Sequence, residues 1–306
     1  MPMQSGAKLD WPACEICGVA KWRAHYAGSV RKGAFGTSLD GIIGRCGGCG
    51  VDRLNEAACL QDADYQSGTY RLQLGQSQAA ADFFAEHDLL QHFTLDAYWP
   101  RPLRGKAIAD VGCGAGSLLD HVAGVAERIV AIEPGSHYHD RLRERGYDVF
   151  PFAADAAKAH RGRVDLVFCI QVIEHVADPR ALLADIRVLL KPDGVAMIAT
   201  PNRDHLLMDL LPADYPQFFY RSAHRWYFDQ QTLANCAERA GFAVEKFTQV
   251  QRYSFSNFVS WLRDRKPTGN QILPRLEGSD FNRLWHAFLI GSGQAETFYA
   301  FLRPVG

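Results

Sequence analysis

Net charge is the first thing this 306-residue sequence lacks. Its 33 Lys and Arg against 34 Asp and Glu leave a formal charge of −1. Bulk electrostatic attraction to nucleic acid or to an anionic lipid surface is therefore not expected. Long apolar runs are missing too. No stretch of about 18 apolar residues is present, and the first ten residues are polar, without a hydrophobic signal region. The expectation is a cytoplasmic enzyme with no membrane span. Internal repeats and low-complexity tracts are also absent. Hydrophobic residues, by contrast, make up 47% of the chain, enough for a sizeable core. The length suits one large α/β domain with a small appendage.

Eight cysteines might suggest disulfides, but their spacing points to metal. Cys14-Glu15-Ile16-Cys17-Gly18 and Cys46-Gly47-Gly48-Cys49-Gly50 are two C-x-x-C knuckles separated by 28 residues. Each knuckle puts two sulfurs on one side of a tight turn, and together they make a tetrahedral set for zinc. Four thiolates leave no open position, so the expected zinc is structural. The gap exceeds the usual roughly 15–20 residues, which predicts a hairpin with a Gly-rich extension between Gly28 and Gly44. The competing reading is four unrelated thiols. Cys59, Cys113, Cys169 and Cys236 are scattered and read as ordinary buried residues.

The stretch around which the rest is organised is Ile108-Ala109-Asp110-Val111-Gly112-Cys113-Gly114-Ala115-Gly116-Ser117. A short apolar run enters a glycine turn and then an amphipathic segment, which predicts a buried parallel strand, a tight turn and a helix start. Glycines at alternate positions let the chain bend and let a ligand sit against bare main chain. A dinucleotide loop would place its third glycine where Ser117 stands. The pattern Asp110-x-Gly112-x-Gly114-x-Gly116 instead resembles the first motif of class I S-adenosylmethionine (SAM) dependent methyltransferases. Arg128 to Glu133 reads as the next strand, ending in an acid about 20 residues after the loop, where a carboxylate can accept ribose hydroxyls. Asp155, after a weak third strand, could face the adenine amino group. Val164 to Ile170 is a fourth strand, running into Gln171-Val172-Ile173-Glu174-His175-Val176-Ala177-Asp178-Pro179. This V-x-E-H-V-x-D-P string resembles the post-strand segment of a bacterial group that includes ubiquinone-type O-methyltransferases and sugar methyltransferases.

That resemblance implies a Rossmann-like α/β fold: a seven-stranded sheet with its last strand antiparallel, a small zinc ribbon before it and a helical insertion near the C-terminus. Three regions follow. Residues 1–58 form the zinc module, and 59–100 form a helical connector folding over the cofactor. Residues 101–306 form the methyltransferase domain, with insertions at 203–228 and 251–292 shaping the acceptor pocket. Asp110, Glu133, Gln171 and Glu174-His175 fall at the carboxyl ends of strands, where open α/β sheets bind ligands. Tyr65 and Tyr70 either fold over SAM or merely cover the sheet edge. Lys191 to Gly194 reads as a turn into the fifth strand.

Methyl transfer to a hydroxyl or enol needs a base. His175 is the candidate, with Glu174 orienting it and His224 and His205 in reserve; the bland alternative is a structural role for the pair. Arg221 and Arg225 could meet a diphosphate or carboxylate on the acceptor. Three acceptor readings compete. The layout of zinc cysteines, tyrosine-bearing connector and Glu-His is similar to the start of nucleotide-sugar C-methyltransferases, which carry a further domain, so O-methylation of a sugar or another small metabolite is equally open. A zinc-ribbon ribosomal RNA methyltransferase is the second reading, but residues 11–59 hold only six Lys and Arg against four Asp and Glu, a weak phosphate footprint. A non-catalytic protein-binding module is the third, and intact cofactor motifs argue against it.

Overall fold

The computed structural model describes residues 6–33, 36–73, 77, 79–267 and 273–306. Gln76, where the helical pattern of the connector begins in the sequence, lies outside the described residues, as do 268–272 of the C-terminal insertion. Four short strands come first: β1 (Lys8–Leu9), β2 (Trp22–Arg31), β3 (Ser38–Cys46) and β4 (Asp52–Leu54). The expected hairpin between the cysteine knuckles is β2 and β3, antiparallel from Trp22 opposite Cys46 to Arg31 opposite Ser38. Next come β5 (Ala107–Val111), β6 (Arg128–Ile132), β7 (Asp148–Phe150), β8 (Val164–Ile170) and β9 (Leu190–Pro201). The last three are β10 (Trp226–Tyr227), β11 (Phe242–Val250) and β12 (Thr297–Pro304).

The large sheet has the order β11-β12-β9-β8-β5-β6-β7, with β12 antiparallel between β9 and β11. All five residues of β5 are buried, because helices cover both faces of a parallel sheet and leave no polar side to alternate with. The Asp178-Pro179 pair starts one covering helix, Pro179–Leu189. Asp178 caps it by accepting from the Ala181 amide at 2.9 Å, and Pro179 takes the first helical position, where no N–H is needed. Leu183, Ile186 and Leu189 are fully buried along its inner stripe. Truncating Leu183 to Ala would cost about 2–5 kcal/mol.

One expectation is revised. Lys191 to Gly194 is not a separate turn but an irregularity inside β9: its pairing with β8 jumps from Val164–Leu190 to Leu166–Val195. The apolar residues on both sides are held by the sheet, so the Lys-Pro-Asp-Gly stretch bulges rather than ends the strand. The segment 203–228, expected to shape the acceptor pocket, places Arg221 and His224 at the cavity and also joins the first sheet. Its β10 pairs antiparallel with β4 and completes the first sheet, in the order β1-β2-β3-β4-β10. Trp22 and Trp226 are fully buried in one apolar core that continues into a face of the large sheet. No helix among the described residues is long and apolar enough to cross a membrane.

Candidate active site

At the carboxyl ends of β5, β6 and β8 lies a cavity of about 650 Å³, within the range of small-molecule sites. Gly112 turns the chain out of β5 with φ +76°, and a Cβ there would lie 2.4 Å from Val172 Cγ2. Its amide and that of Cys113 both donate to the Ile132 carbonyl, at 2.7 and 3.2 Å. Gly114 is covered by the Phe83 ring, which a Cβ would meet at 2.5 Å, and the Arg71 guanidinium lies beside it. Arg71 also stacks on Phe83, 4.5 Å from its centroid. Nothing in the sequence singles out Arg71 or Phe83; only the neighbouring tyrosines mark that segment.

Glu133 and Asp110 line this end. The Glu133 carboxylate accepts from the amides of Gly114 and Gly135, both at 2.8 Å, and lone pairs remain on each oxygen. Burial holds Glu133 above the usual carboxyl range. Asp110 is raised well above that range, by burial first and the charge of Glu133 second. Asp155 does not join them. It sits in the first turn of helix Ala153–His160 and pairs with Lys158 at 2.9 Å, while Phe152 and Ala153 face the cavity. The helix starts two residues before Asp155, which rotates that side chain away.

Gln171 leaves β8 with φ +58°, in the left-handed region that non-glycine residues rarely adopt. Such strain clusters at functional sites. Beyond it, His175 is fixed by a hydrogen bond from Nδ1 to the Ala223 carbonyl at 2.6 Å. Tyr65 Oη lies 3.1 Å from the same nitrogen and donates to the same carbonyl at 2.8 Å. Nδ1 thus carries the proton, and Nε2 keeps a lone pair, 3.9 Å from Glu174 Oε1. Glu174 is fully buried; its Oε2 accepts from Thr200 Oγ1 at 3.1 Å, and Oε1 has no hydrogen-bond partner. Tyr70 and His224 pack edge-on against the His175 ring, at 5.7 and 4.7 Å. Burial pushes His175 down to about 4 and Glu174 up to about 7; His224 falls well below its usual value for the same reason.

Not every candidate gathers here. Arg225, read from the sequence as a partner for a diphosphate, is paired with Glu56 at 2.7 Å. His205 caps helix Leu206–Leu210 and stacks on Tyr215 outside the cavity. Among the described residues of the 251–292 insertion, Arg252 and Tyr253 line it.

Residues 84–246 match the family described as a methyltransferase domain, which covers more than half of the chain. The chain belongs to this family. It is a SAM-dependent methyltransferase. Ubiquinone biosynthesis O-methyltransferase from Thiobacillus denitrificans is 32% identical over 160 residues, 48% of this chain and 68% of that relative. The Parvibaculum lavamentivorans enzyme of the same name is 35% identical over 185 residues, 56% of this chain and 73% of that one. A solved complex between the Haloferax volcanii Trm112 methyltransferase activator and a methyltransferase contains a chain that is 15% identical. It covers 80% of this chain and 97% of that one with a TM-score of 0.50, a likeness of fold alone.

The methyltransferase's cavity suits SAM chemically: Gly112 backbone and the carboxylates of Asp110 and Glu133 line it, and the Arg71 guanidinium is a cation for a carboxylate. Away from it, the four knuckle sulfurs lie within 4.8 Å of one another, with Cys14–Cys49 at 3.8 Å and Cys17–Cys46 at 3.5 Å. Four sulfurs at Zn–S of about 2.3 Å in a tetrahedron stand about 3.8 Å apart, so the donor set fits a zinc ion. Gly18 and Gly50 follow the second cysteine of each knuckle at φ +75° and +78°, where the chain reverses. Cys59, Cys113, Cys169 and Cys236 are all buried singly.

Proposed function

We propose that this methyltransferase transfers a methyl group to a hydroxyl oxygen or enol carbon of a small molecule, with a sugar or nucleotide sugar as the candidate acceptor class. The observation that carries this reading is the Glu174–His175 pair at the cavity wall. In this reading Asp110 and the glycines Gly112, Gly114 and Gly116 hold SAM with Glu133, Gln171 and Arg71, while Tyr65 and Tyr70 close over it. Cys14, Cys17, Cys46 and Cys49 hold one structural zinc. The zinc module is assigned to residues 1–58, the connector to 59–100 and the catalytic domain to 101–306. The relatives' name, an O-methyltransferase, favours oxygen as the acceptor atom.

SAM supplies an electrophilic methyl on a sulfonium. The chain's residues position the acceptor and take its proton. His175 Nε2 is the contact base, neutral near pH 7 because burial disfavours its charge. A base held near 4 is weak by itself, however, and Brønsted behaviour favours a group poised near the working pH. Glu174, raised to about 7 and 3.9 Å away, matches that requirement. The pair is therefore read as a relay in which His175 touches the acceptor and Glu174 stabilises the imidazolium that forms. His224 is the reserve base. A structural role for the pair would instead predict loss of cofactor binding on its removal.

The test is the pH–rate profile. The wild type should gain turnover as pH rises through about 7, the Glu174 value, and Glu174→Gln should shift that limb down toward the His175 value. An unchanged profile at unchanged rate in the variant defeats the relay. Product analysis with SAM and a panel of nucleotide sugars against catechols and quinols reads the acceptor class, and methylation confined to the aromatic arm defeats the sugar assignment.

A further inference from the structure

Four arginines around the first sheet are paired with carboxylates, Arg45 with Asp52 at 2.7 Å, Arg53 with Glu56 at 2.9 Å, Arg225 with Glu56 at 2.7 Å, and Arg203 with Asp229, while Arg23 is exposed on β2. At the cavity, Arg252 pairs with Glu296 at 2.7 Å. Arg31 and Arg221 break this pattern. Among the described residues, neither guanidinium has a carboxylate within 4.0 Å or a hydrogen bond to another protein group. None of the residues outside the described set is acidic.

Their proximity is built by the backbone. Arg31 at the end of β2 and Arg221 before β10 form a parallel bridge. In it the Arg31 amide donates to the Tyr220 carbonyl at 3.0 Å, and the Ser222 amide donates to the Arg31 carbonyl at 2.9 Å. Residues paired across strands project to the same side, with Cβ atoms roughly 5 Å apart. Arg31 lies over the Phe218 ring at 4.6 Å, and its Nε is buried without a partner. Arg221 lines the cavity beside His175, His224, Tyr70 and Tyr253. Burial, then the Arg221 charge, holds Arg31 down at about 10. Two neighbouring cations with no carboxylate within 4.0 Å repel each other in the free protein, and an arriving oxyanion relieves both.

We propose that Arg31 and Arg221 form an anion-binding end of the acceptor site, and that the acceptor carries a phosphoryl group. This deepens the small-molecule methyltransferase reading and rests on it. A phosphoryl group brings about −1.5 to −2 charges at pH 7 and three acceptor oxygens, enough for two guanidinium forks, whereas a carboxylate satisfies one. Arg31 comes from the N-terminal module, so the zinc-bearing sheet would read the substrate directly.

The test uses the full chain with inorganic pyrophosphate, inorganic phosphate and acetate as probes, by calorimetry and thermal shift, with and without S-adenosylhomocysteine. Pyrophosphate should bind saturably, more tightly than acetate, and keep binding when S-adenosylhomocysteine is present. Arg31→Met and Arg221→Met should each weaken pyrophosphate at least tenfold while leaving S-adenosylhomocysteine affinity in place. Without anion, Arg31→Met should melt no lower than wild type, since it removes a repulsion; a merely structural arginine would lower the melting point. Pyrophosphate affinity untouched by both substitutions, or displaced by S-adenosylhomocysteine, overturns the proposal. Acetate binding as tightly as pyrophosphate overturns its phosphoryl assignment. If wild type binds pyrophosphate but not S-adenosylhomocysteine, the methyltransferase reading of the cavity fails instead.

Discussion

The two ends of the cavity are built in opposite ways. The glycine-loop end comes from one continuous β-α-β stretch, Asp110 to Glu133, tied together by its own amides: Gly112 to the Ile132 carbonyl and Gly114 to the Glu133 carboxylate. The acceptor end is assembled from segments far apart in sequence, with Tyr65, His175 and Ala223 meeting at one carbonyl. The charges differ as well. Two buried carboxyls, Asp110 and Glu133, mark the first end; the buried imidazoles His175 and His224, with Arg221 and the raised carboxyl of Glu174, mark the second. A self-contained loop can serve any acceptor, whereas the second end depends on how the N-terminal module docks. That docking reaches the loop after β8 itself: the Glu174 carbonyl accepts from the amides of Arg225 and Trp226, at 2.8 and 3.0 Å, and Trp226 Nε1 donates to the Val176 carbonyl at 2.9 Å.

The sharpest way to break this contrast is to remove the metal. Purified protein should hold about one zinc per chain, and Cys46→Ala should lose it along with a folding contribution on the order of 10 kcal/mol. The first sheet should then open by hydrogen exchange and turnover vanish, with SAM affinity falling far less. A metal-free preparation with native exchange protection would show that the sheet stands without zinc. Next in size is His175→Ala, expected to cut turnover by roughly 10²–10⁴-fold with SAM affinity nearly unchanged by calorimetry. Near-normal turnover would move the base to His224; lost SAM binding would make the pair structural.

Stability against pH comes third. The folded-state value of Glu174 is raised from 4.5 to about 7. The stabilisation from its protonated form is therefore complete below about pH 4.5 and is lost as pH rises through about 7, about 3 kcal/mol in all. Glu174→Gln, which cannot ionise, should melt higher than wild type at pH 8, and the gain should disappear by pH 5. Equal melting curves at both pH values would place the carboxyl in a more solvated site. The smallest effect belongs to the local end: Glu133→Ala should weaken SAM by on the order of 1–3 kcal/mol, with turnover at saturating SAM retained. A loss of turnover without a change in affinity would mean that the two ends are coupled.

Much of the large sheet was legible in the sequence because its strands are buried on both faces and read as unbroken apolar runs. Val164–Ile170 begins and ends where the pattern places it. The cysteine knuckles and the glycine loop were legible for a related reason: their function is carried by residues a few positions apart, so spacing alone reports geometry. Asp155 misled because a helix start two residues upstream rotated it away, a local detail that periodicity does not resolve. Arg221 and Arg225 look alike in sequence. Only the fold gave one of them Glu56 and left the other beside Arg31, 190 residues earlier in the chain. Side chains joined across such separations are chosen by the docking of two sheets, and that docking is settled by the buried tryptophans and the β4–β10 pairing rather than by any motif.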